Sequence, residues 1–360
     1  MEIIAYLPIY EGRRKSLNPN EFLRVVRDNS LDSVYCFIGN EEWLKQNALQ
    51  TLKKRILPEG LEELNEMSFD APSLSQIMDA AQTLPVMCER RLVVVIDFPL
   101  LFAKKGKDLK TELERFKEWL ALANDTCVTV FYVHGTIESK TILALLEKYA
   151  QIVRFETLTE SEILKWCNRL LSPFGKTIEP MAVQELVLRA GKDLTTLSGE
   201  LSKLIAFVGE EKVIHTADVE TIVSRSLEFR VFEMFNTLMT STFSNANVQL
   251  ASLLQNGEKP VSILSMITRQ IRQMCHMRIA LDAGFPAQGL KEPLHLVERA
   301  VFPVSKQSIL LPASDWKEIY SKCIALDYSV KSGQMRDIDA LQSAMLNITN
   351  RRDKVRIGTH

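Results

Sequence analysis

The sequence predicts a mixed fold, an α/β domain followed by all-α domains. Over roughly the first 155 residues, short apolar runs alternate with amphipathic helical stretches. The runs are rich in β-branched residues, as in LVVVI at 92–96, which is typical of strands buried on both faces of a parallel sheet. From Thr159 onward the strand patterns stop and helical periodicity takes over.

The α/β part is predicted to hold a five-stranded parallel sheet with helices on both faces. The strands are expected at residues 34–39, 64–70, 92–97, 127–135 and 151–156. The intervening helices are expected at 41–57, 73–84, 109–123 and 139–149, and Ser73 with Gln76 forms a capping box at the start of the second. This is a nucleotide-binding type of architecture.

The helical part divides in two. A small bundle of short helices is predicted over residues 159–224. Thr159 and Glu162 form a capping box, Pro180 stands where a helix would begin, and Gly191 follows the end of that helix. Longer helices are predicted over 228–349, and the final RRDKVRIGTH is predicted to be a polar, frayed tail. The expected boundaries are 1–157, 158–225 and 226–349, with a tail at 350–360.

Composition limits the classes of function. The chain has 360 residues, 46% of them hydrophobic, and a net charge of −1, so any contact with nucleic acid must come from a local basic patch. The six cysteines show no spacing typical of a metal site and are expected to be reduced thiols. No apolar run approaches the ~20 residues of a membrane span and the N-terminus lacks a signal pattern, so we expect a cytoplasmic protein without membrane contact.

The first strand runs into a helix as a phosphate-binding loop would. Residues 34–55 read VYCFIGNEEWLKQNALQTLKKR, and a GxxxxGK[ST] loop would start at Gly39. Leu44 stands where the second glycine belongs, and Lys45 is followed by Gln46 instead of Ser or Thr. Glu41 and Glu42 suit the helix dipole but would repel a triphosphate. The pattern predicts a strand-to-helix turn that binds no nucleotide.

The order of an α/β domain, a small helical domain and a larger helical domain is the AAA+ plan, yet the other ATPase residues are missing. Asp97 ends the third strand where a Walker B motif places its Mg²⁺-ordering Asp, but Phe98 replaces the Glu that orients water. KYAQIVRF, at 148–155, has no Ser-Arg pair, and the literal GKT at 175–177 follows a helix. We therefore expect a degenerate AAA+ module with a lid domain and a collar domain, and no catalytic residue, cofactor or metal.

Five segments carry a resemblance to a known family. They are CFIGNEEWLKQNAL, MSFDAPSLSQIMDAAQTLPVMCERRLVVV, AGKDLTTLSGELSKLIAFVGEEKVIHTADVETIV, GEKPVSILSMITRQIRQM and ALDYSVKSGQMRDIDALQSAM. Together they resemble the delta subunit family of the bacterial DNA polymerase III clamp loader over about residues 32–349, in the family's order. Val86 and Met87 depart from it, since many relatives carry Phe residues there, and Asn40 and Trp43 are also less typical.

The resemblance implies a non-catalytic role inside the DNA polymerase III holoenzyme. Delta subunits of this family bind no nucleotide and sit in a five-subunit ring with gamma/tau and delta-prime subunits, held by the C-terminal domains. The first domain grips the beta sliding clamp and opens one of its interfaces. Primer-template DNA passes through the assembled complex.

The segment LPVMCERR has the residue types that such a grip needs. Helix 73–84 should end before Pro85, which disfavours helical geometry at Leu84. Val86 and Met87 are then apolar in a connection that would ordinarily be polar, and the charged residues 89–91 follow. An exposed apolar knob with a charged rim is typical of an interaction hot spot. We predict that Leu84, Val86 and Met87 bind the clamp; the alternative is that Val86 and Met87 pack on the core.

Two basic groups are candidate DNA contacts. Arg269, Arg272 and His276 have helical spacing on one face, and Lys104 and Lys105 begin a lysine-rich loop after the third strand. The alternative for both groups is an ordinary solvated surface.

Two other functions stay open from the residues. One is an active AAA+ ATPase with a divergent P-loop. The other is a delta-prime-like stator subunit, which usually carries a cysteine zinc cluster and a Ser-Arg-Cys finger, and this sequence has neither.

Overall fold

The first part of the chain is built on a five-stranded parallel sheet. The computed structural model describes residues 15–103 and 109–358, and it divides into two units, residues 1–158 and 159–360. The strands are β1 (Val34–Gly39), β2 (Glu66–Asp70), β3 (Arg91–Ile96), β4 (Cys127–Tyr132) and β5 (Gln151–Phe155), in the order β2-β3-β4-β1-β5. The predicted sheet is confirmed, and all four pairings are parallel.

Helices cover both faces of this sheet, as predicted. They are α1 (Pro19–Arg27), α2 (Glu42–Ile56), α3 (Glu62–Asn65), α4 (Leu74–Gln82), α5 (Leu109–Ala121) and α6 (Lys140–Tyr149), with a 3-10 turn at Pro99–Phe102. The capping box of Ser73 and Gln76 is present at the start of α4. Helix α1, which begins with a capping box of Asn18 and Glu21, was not predicted. Residues 64 and 65 were expected in β2, whereas they end α3.

Alternate residues of β1 enter two separate cores. Cys36 and Ile38 belong to the apolar cluster that includes residues of α4, α5 and α6, while Tyr35 and Phe37 belong to the cluster that includes residues of α1 and α2. Successive side chains of a strand point to opposite faces, so a strand buried on both faces must be apolar throughout. This is why β1, β3 and β4 read as nearly continuous apolar runs, whereas β2, a partly exposed strand at the edge of the sheet, does not. Burial also raises the pKa of the Cys36 thiol to about 12.

The second unit is mainly helical. Its helices are α7 (Glu160–Leu171), α8 (Pro180–Ala190), α9 (Leu194–Val208), α10 (Thr216–Ile222), α11 (Leu227–Thr240), α12 (Phe243–Gln255), α13 (Pro260–Asp282), α14 (Glu298–Ser308), α15 (Ala313–Lys331) and α16 (Asp337–Gly358). The expectation that strands end before Thr159 is wrong in one detail. Two short strands, β6 (Thr177–Ile178) and β7 (Val213–Ile214), pair in parallel. Two residues are too few to show the alternation that identifies a strand.

The predicted frayed tail is wrong. Helix α16 continues through Gly358, and two of its arginines have partners in the structure. Arg352 is 5% exposed and donates hydrogen bonds to the carbonyl oxygens of Leu238 and, at 2.6 Å, Ser241. Arg351 lies 2.7 Å from the Asp315 carboxylate. Arg352 thus binds the end of α11, and Arg351 binds the start of α15. The polar composition of the tail does not predict either contact. Within residues 15–103 and 109–358, no helix is long and apolar enough to cross a bilayer.

Candidate functional site

Backbone N–H groups at the loop that follows β1 are bonded to carbonyl groups of neighbouring segments. The Gly39 N–H donates to the Gly135 carbonyl oxygen at 2.7 Å, and the Glu41 N–H donates to the Phe155 carbonyl oxygen at 3.1 Å. Gly39 has a φ of +119°, and a Cβ atom built there would lie 2.2 Å from the Phe155 oxygen. The glycine is thus required by the close approach of β5. A phosphate-binding loop needs such N–H groups directed at the ligand. Here the N–H groups of Gly39 and Glu41 are directed at carbonyl oxygens of the protein instead.

Lys45, at the position of the P-loop lysine, is turned inward. Its side chain is fully buried, and its Nζ donates to the Val133 carbonyl oxygen at 2.8 Å. The same nitrogen lies 2.7 Å from the Glu42 carboxylate and 5.0 Å from the centre of the Tyr132 ring. Glu42 also accepts a hydrogen bond from the Tyr132 hydroxyl. Burial raises the pKa of Glu42, but the bonds from Lys45 and Tyr132 outweigh it, so the pKa lies below its ordinary value.

Asp97, at the position of the Walker B aspartate, is paired with His134. The His134 backbone N–H donates to Oδ1 of Asp97 at 2.9 Å, and the His134 Nδ1 lies 2.8 Å from Oδ2. The His134 Nε2 is also 3.5 Å from Glu42. Phe98, which replaces the catalytic glutamate, is buried in the core. Glu42, Lys45, Asp97, Tyr132 and His134 therefore form one connected polar cluster, named here the closed-loop cluster.

The closed-loop cluster does not fit ATP and Mg²⁺. Each group that would meet the phosphates or the metal already has a protein partner, and Glu42 adds negative charge at the start of α2. The literal GKT sequence is structural as well. The Lys176 Nζ donates to the carbonyl oxygens of Gly209 at 2.6 Å and Glu211 at 2.7 Å.

The predicted clamp-binding residues lie together on a turn between α4 and β3, residues 84–87, named here the apolar turn. Leu84 is 70% exposed, Val86 is 42% exposed and Met87 is 84% exposed. The alternative that Val86 and Met87 pack on the core does not hold. Surface side chains of this size in one short segment are typical of an interaction site.

A residue that sequence analysis missed holds the apolar turn in place. Asn65 is fully buried, and its carboxamide bonds both backbone groups of Val86. The Val86 N–H donates to Oδ1 at 2.7 Å, and Nδ2 donates to the Val86 carbonyl oxygen at 2.9 Å. Met87, the next residue, has a left-handed φ of 55°. Such a conformation persists where surrounding contacts impose it, which agrees with the fixed backbone at Val86.

The charged rim is smaller than predicted. Arg91 begins β3 and is 2% exposed, so it cannot belong to a rim. Arg90 is partly buried and donates to the Leu31 carbonyl oxygen at 3.0 Å. Glu89 is exposed beside the turn. A run of charged residues in a sequence does not show that Arg91 begins a strand or that the Arg90 side chain is directed at the backbone.

Of the two groups of candidate DNA contacts, the structure describes the one in the second unit. Arg269, Arg272 and His276 are exposed on one face of α13, as predicted. Arg269 pairs with Glu228, while burial and the nearby Arg272 lower the pKa of Arg269. Lys104 and Lys105 lie outside the described residues. No group of three or more acidic, His or Cys side chains suited to a metal is found within 15–103 and 109–358.

The fold agrees with the predicted class. A five-stranded parallel sheet covered by helices and followed by a mainly helical second unit is the α/β plus all-α fold that the sequence predicts. Residues 35–156 match the family model described as DNA polymerase III, delta subunit, and residues 228–348 match the model for the C-terminal domain of the same family. The chain thus belongs to the DNA polymerase III delta subunit family and is a clamp-loader protein of DNA replication.

Individual relatives agree with this assignment. DNA polymerase III subunit delta of Bacillus subtilis is 24% identical over 336 residues, covering 91% of this chain and 96% of the relative. A probable DNA polymerase III subunit delta of Aquifex aeolicus is 24% identical over 246 residues, covering 66% and 68%. The solved Bacillus subtilis DNA clamp loader delta protein has the same fold, with a TM-score of 0.61, 23% identity and coverage of 92% and 100%.

Proposed function

We propose that this chain binds the beta sliding clamp through the apolar turn and opens one clamp interface during DNA replication. The observation that carries the proposal is the combination of three exposed apolar side chains with a backbone fixed by Asn65. Exposed Leu84, Val86 and Met87 contribute little to folding and are available to a partner pocket. A rigid turn loses little conformational freedom on binding, which favours affinity.

The apolar turn carries enough surface for such a contact. Each apolar side chain that enters a partner pocket contributes about 1.5–3 kcal/mol when it is fully buried. Val86 and Met87 together would then supply about 3–6 kcal/mol as an upper guide, since ordering costs oppose binding. Opening follows if the turn fits the open clamp better than the closed clamp. A ligand shifts an equilibrium only by its difference in affinity for the two states.

We further propose that the chain supplies no ATPase activity. The support is the closed-loop cluster, in which Lys45 and Asp97 are both occupied by protein partners. The ATP would belong to gamma/tau neighbours in a five-subunit ring that also contains delta-prime. The assignment of these neighbours rests on the family resemblance.

We also propose a DNA contact through α13, in which Arg269 and Arg272 face primer-template DNA in the assembled loader. Lys104 and Lys105 are further candidates. Arg272 is the better test of the pair because Arg269 already binds Glu228. Loss of one phosphate contact lowers the salt dependence of DNA binding by about one unit of log–log slope. If a loader that carries Arg272→Gln binds DNA with an unchanged salt dependence, Arg272 does not contact the DNA.

The clamp contact is tested with a double variant, Val86→Ser with Met87→Ser. Clamp affinity should fall by about a hundredfold or more, because two anchors are lost from an apolar pocket. The melting temperature and assembly into the loader should stay unchanged, because both side chains are exposed in the isolated chain. Affinity is measured by calorimetry or surface plasmon resonance with the purified clamp.

Leu122→Ser is the matched control. Leu122 is 77% exposed in the same unit but lies just after α5, outside the apolar turn. The control variant should bind the clamp as the unaltered chain does. Normal clamp binding by a correctly folded double variant would reject the apolar turn as the clamp contact.

A further inference from the structure

Two exposed apolar side chains flank the residue that holds the apolar turn. Leu64, in α3, is 57% exposed, and Met67, in β2, is 43% exposed. Between them in the sequence stands Asn65, whose carboxamide bonds both backbone groups of Val86. A second segment with exposed apolar side chains, residues 64–67, is therefore joined to the apolar turn.

The exposed apolar residues of the first unit are clustered. Within residues 15–103 and 109–158, seven large apolar side chains are exposed, namely Leu64, Met67, Leu84, Val86, Met87, Phe102 and Leu122. Five of the seven fall in segments 64–67 and 84–87, which Asn65 joins. Single exposed apolar residues are normal on a protein surface, whereas a group of them marks an interaction site. The two segments therefore form one candidate surface.

Both segments lie at the same edge of the sheet. Strands β2 and β3 are parallel neighbours, and Glu66 at the start of β2 is aligned with Leu92 near the start of β3. Residues 64–67 contain the end of α3 and the start of β2, and residues 84–87 precede β3. Because parallel neighbours begin at one edge of a sheet, both segments lie at the amino ends of these strands.

Met67 also lies on the same face of the sheet as the apolar turn. The carboxylate of Glu66 pairs with Lys53 of α2, which places Glu66 on the α2 face. Successive side chains of a strand point to opposite faces, so Met67 lies on the other face. There Phe69 packs against the apolar cluster that includes residues of α4, and the apolar turn follows the end of α4.

We propose that Leu64 and Met67 form a second anchor for the beta sliding clamp, beside the first anchor formed by the apolar turn. The proposal rests on the proposed function, because the continuity of this surface with the apolar turn is what names the clamp as its occupant. In the described sheet β2 is the outermost strand on its side, so a clamp seated on the turn can extend over Met67.

A double variant, Leu64→Gln with Met67→Thr, tests the second anchor. Gln suits a helix and Thr suits a strand, so both replacements remove apolar surface while keeping the local propensity. Affinity of the full chain for the purified clamp, measured by surface plasmon resonance, should fall about tenfold. The loss is smaller than for Val86→Ser with Met87→Ser, because Met67 is 43% exposed and Met87 is 84% exposed, so less surface of Met67 remains to be buried.

Phe102→Ser is the matched control for this double variant. Phe102 is 41% exposed, close to the value for Met67, but it lies in the 3-10 turn that follows β3, at the opposite edge of the sheet. The control should bind the clamp normally. Full affinity of a folded Leu64→Gln, Met67→Thr chain would reject the second anchor, and the proposed function would stand if the Val86→Ser, Met87→Ser variant still lost binding. Full affinity of both double variants would reject the proposed function itself.

Methionine oxidation tests the same surface without any substitution, so it remains decisive if the double variant does not fold. Peroxide converts accessible methionines to sulfoxides, and mass spectrometry of the unaltered chain gives the rate for each one. Addition of the clamp should slow oxidation of Met67 and Met87 alike. Met181, which is 52% exposed in the second unit, is the internal control and should oxidise at an unchanged rate.

The oxidation rates also separate the possible occupants of this surface. Protection of Met87 without protection of Met67 would overturn the second anchor while leaving the first in place. Protection of Met67 by the other loader proteins before the clamp is added, or by a higher concentration of the chain alone, would name a different occupant and would equally overturn the proposal.

Discussion

Lys45 is a buried cation with three partners. Its ammonium group meets the Val133 carbonyl oxygen, the Glu42 carboxylate and the Tyr132 ring. A buried charge is tolerated only where it is paired and hydrogen-bonded, so these contacts explain how the residue stays inside the fold. The lysine at the P-loop position is a structural residue in this chain.

Replacement of Lys45 by Met should lower stability and spare the loader's ATPase rate. The variant keeps the bulk of the side chain but leaves Glu42 and the Val133 carbonyl without their cation, a loss of about 1–3 kcal/mol in the free energy of unfolding. Denaturant unfolding of the chain and ATP hydrolysis by the assembled loader measure the two effects. Lys54→Met, on the exposed face of α2, is the control for stability.

The stability difference between the unaltered chain and Lys45→Met should depend on pH. The folded-state pKa of Glu42 lies below its ordinary value of 4.5, so the pairing stabilises the fold above that value and is lost as pH falls through the folded-state pKa. The difference should be largest near neutral pH and narrow in acid. A difference that stays constant in acid, or a tenfold fall in ATPase rate at neutral pH, would contradict this account of Lys45.

At the scale of elements, the apolar turn depends on the short helix α3. Asn65 ends α3, and its carboxamide bonds both the N–H and the C=O of Val86, 21 positions along the chain. The Asn65 Nδ2 also donates to the Leu61 carbonyl oxygen at 3.0 Å. The turn is thus attached to the sheet domain through the backbone of Val86.

Asn65→Ala should weaken clamp binding without altering Leu84, Val86 or Met87. The turn would lose two hydrogen bonds and become mobile. Clamp affinity should fall about tenfold, because the turn must then be ordered on binding. The Val86 amide should also exchange faster with solvent. Hydrogen exchange and clamp binding on the same variant measure both effects. Asn124→Ala is a matched control, since Asn124 accepts from the Thr126 N–H in another turn of the same unit. Faster exchange at Val86 with unchanged affinity would show that preorganisation does not matter.

The elements were predictable where their signal is local. Runs rich in apolar residues located strands such as β3 and β4 to within a few residues, and the capping boxes of Ser73 and Thr159 marked the starts of α4 and α7. Within the helical region predicted over 228–349, no separate helix was assigned to the residues of α14, whose helical pattern is interrupted by Pro303. The roles of Asn65, Lys45 and Arg352 depend on partners distant in sequence. No spacing rule in the chain connects Asn65 to Val86 or Arg352 to Leu238, so these roles became visible only in the fold.

At the scale of the whole molecule, the two units have different architectures and different candidate roles. The sheet unit carries the closed-loop cluster and the apolar turn, while the helical unit carries the basic residues of α13. With a net charge of −1 the chain as a whole attracts DNA little, which limits any DNA contact to local groups such as Arg272. The proposed function therefore depends on surfaces that meet partners, and opening of the clamp by this chain should need no ATP.

Opening of the clamp by the isolated chain can be measured by fluorescence. Two fluorophores placed across one interface of the sliding clamp report its separation while the full chain is added with no nucleotide present. We expect the unaltered chain and Leu122→Ser to open the interface, and the Val86→Ser, Met87→Ser variant to leave it closed at the same concentration. Absence of opening until ATP and the other loader proteins are added, or equal opening by the double variant, would contradict the proposed function.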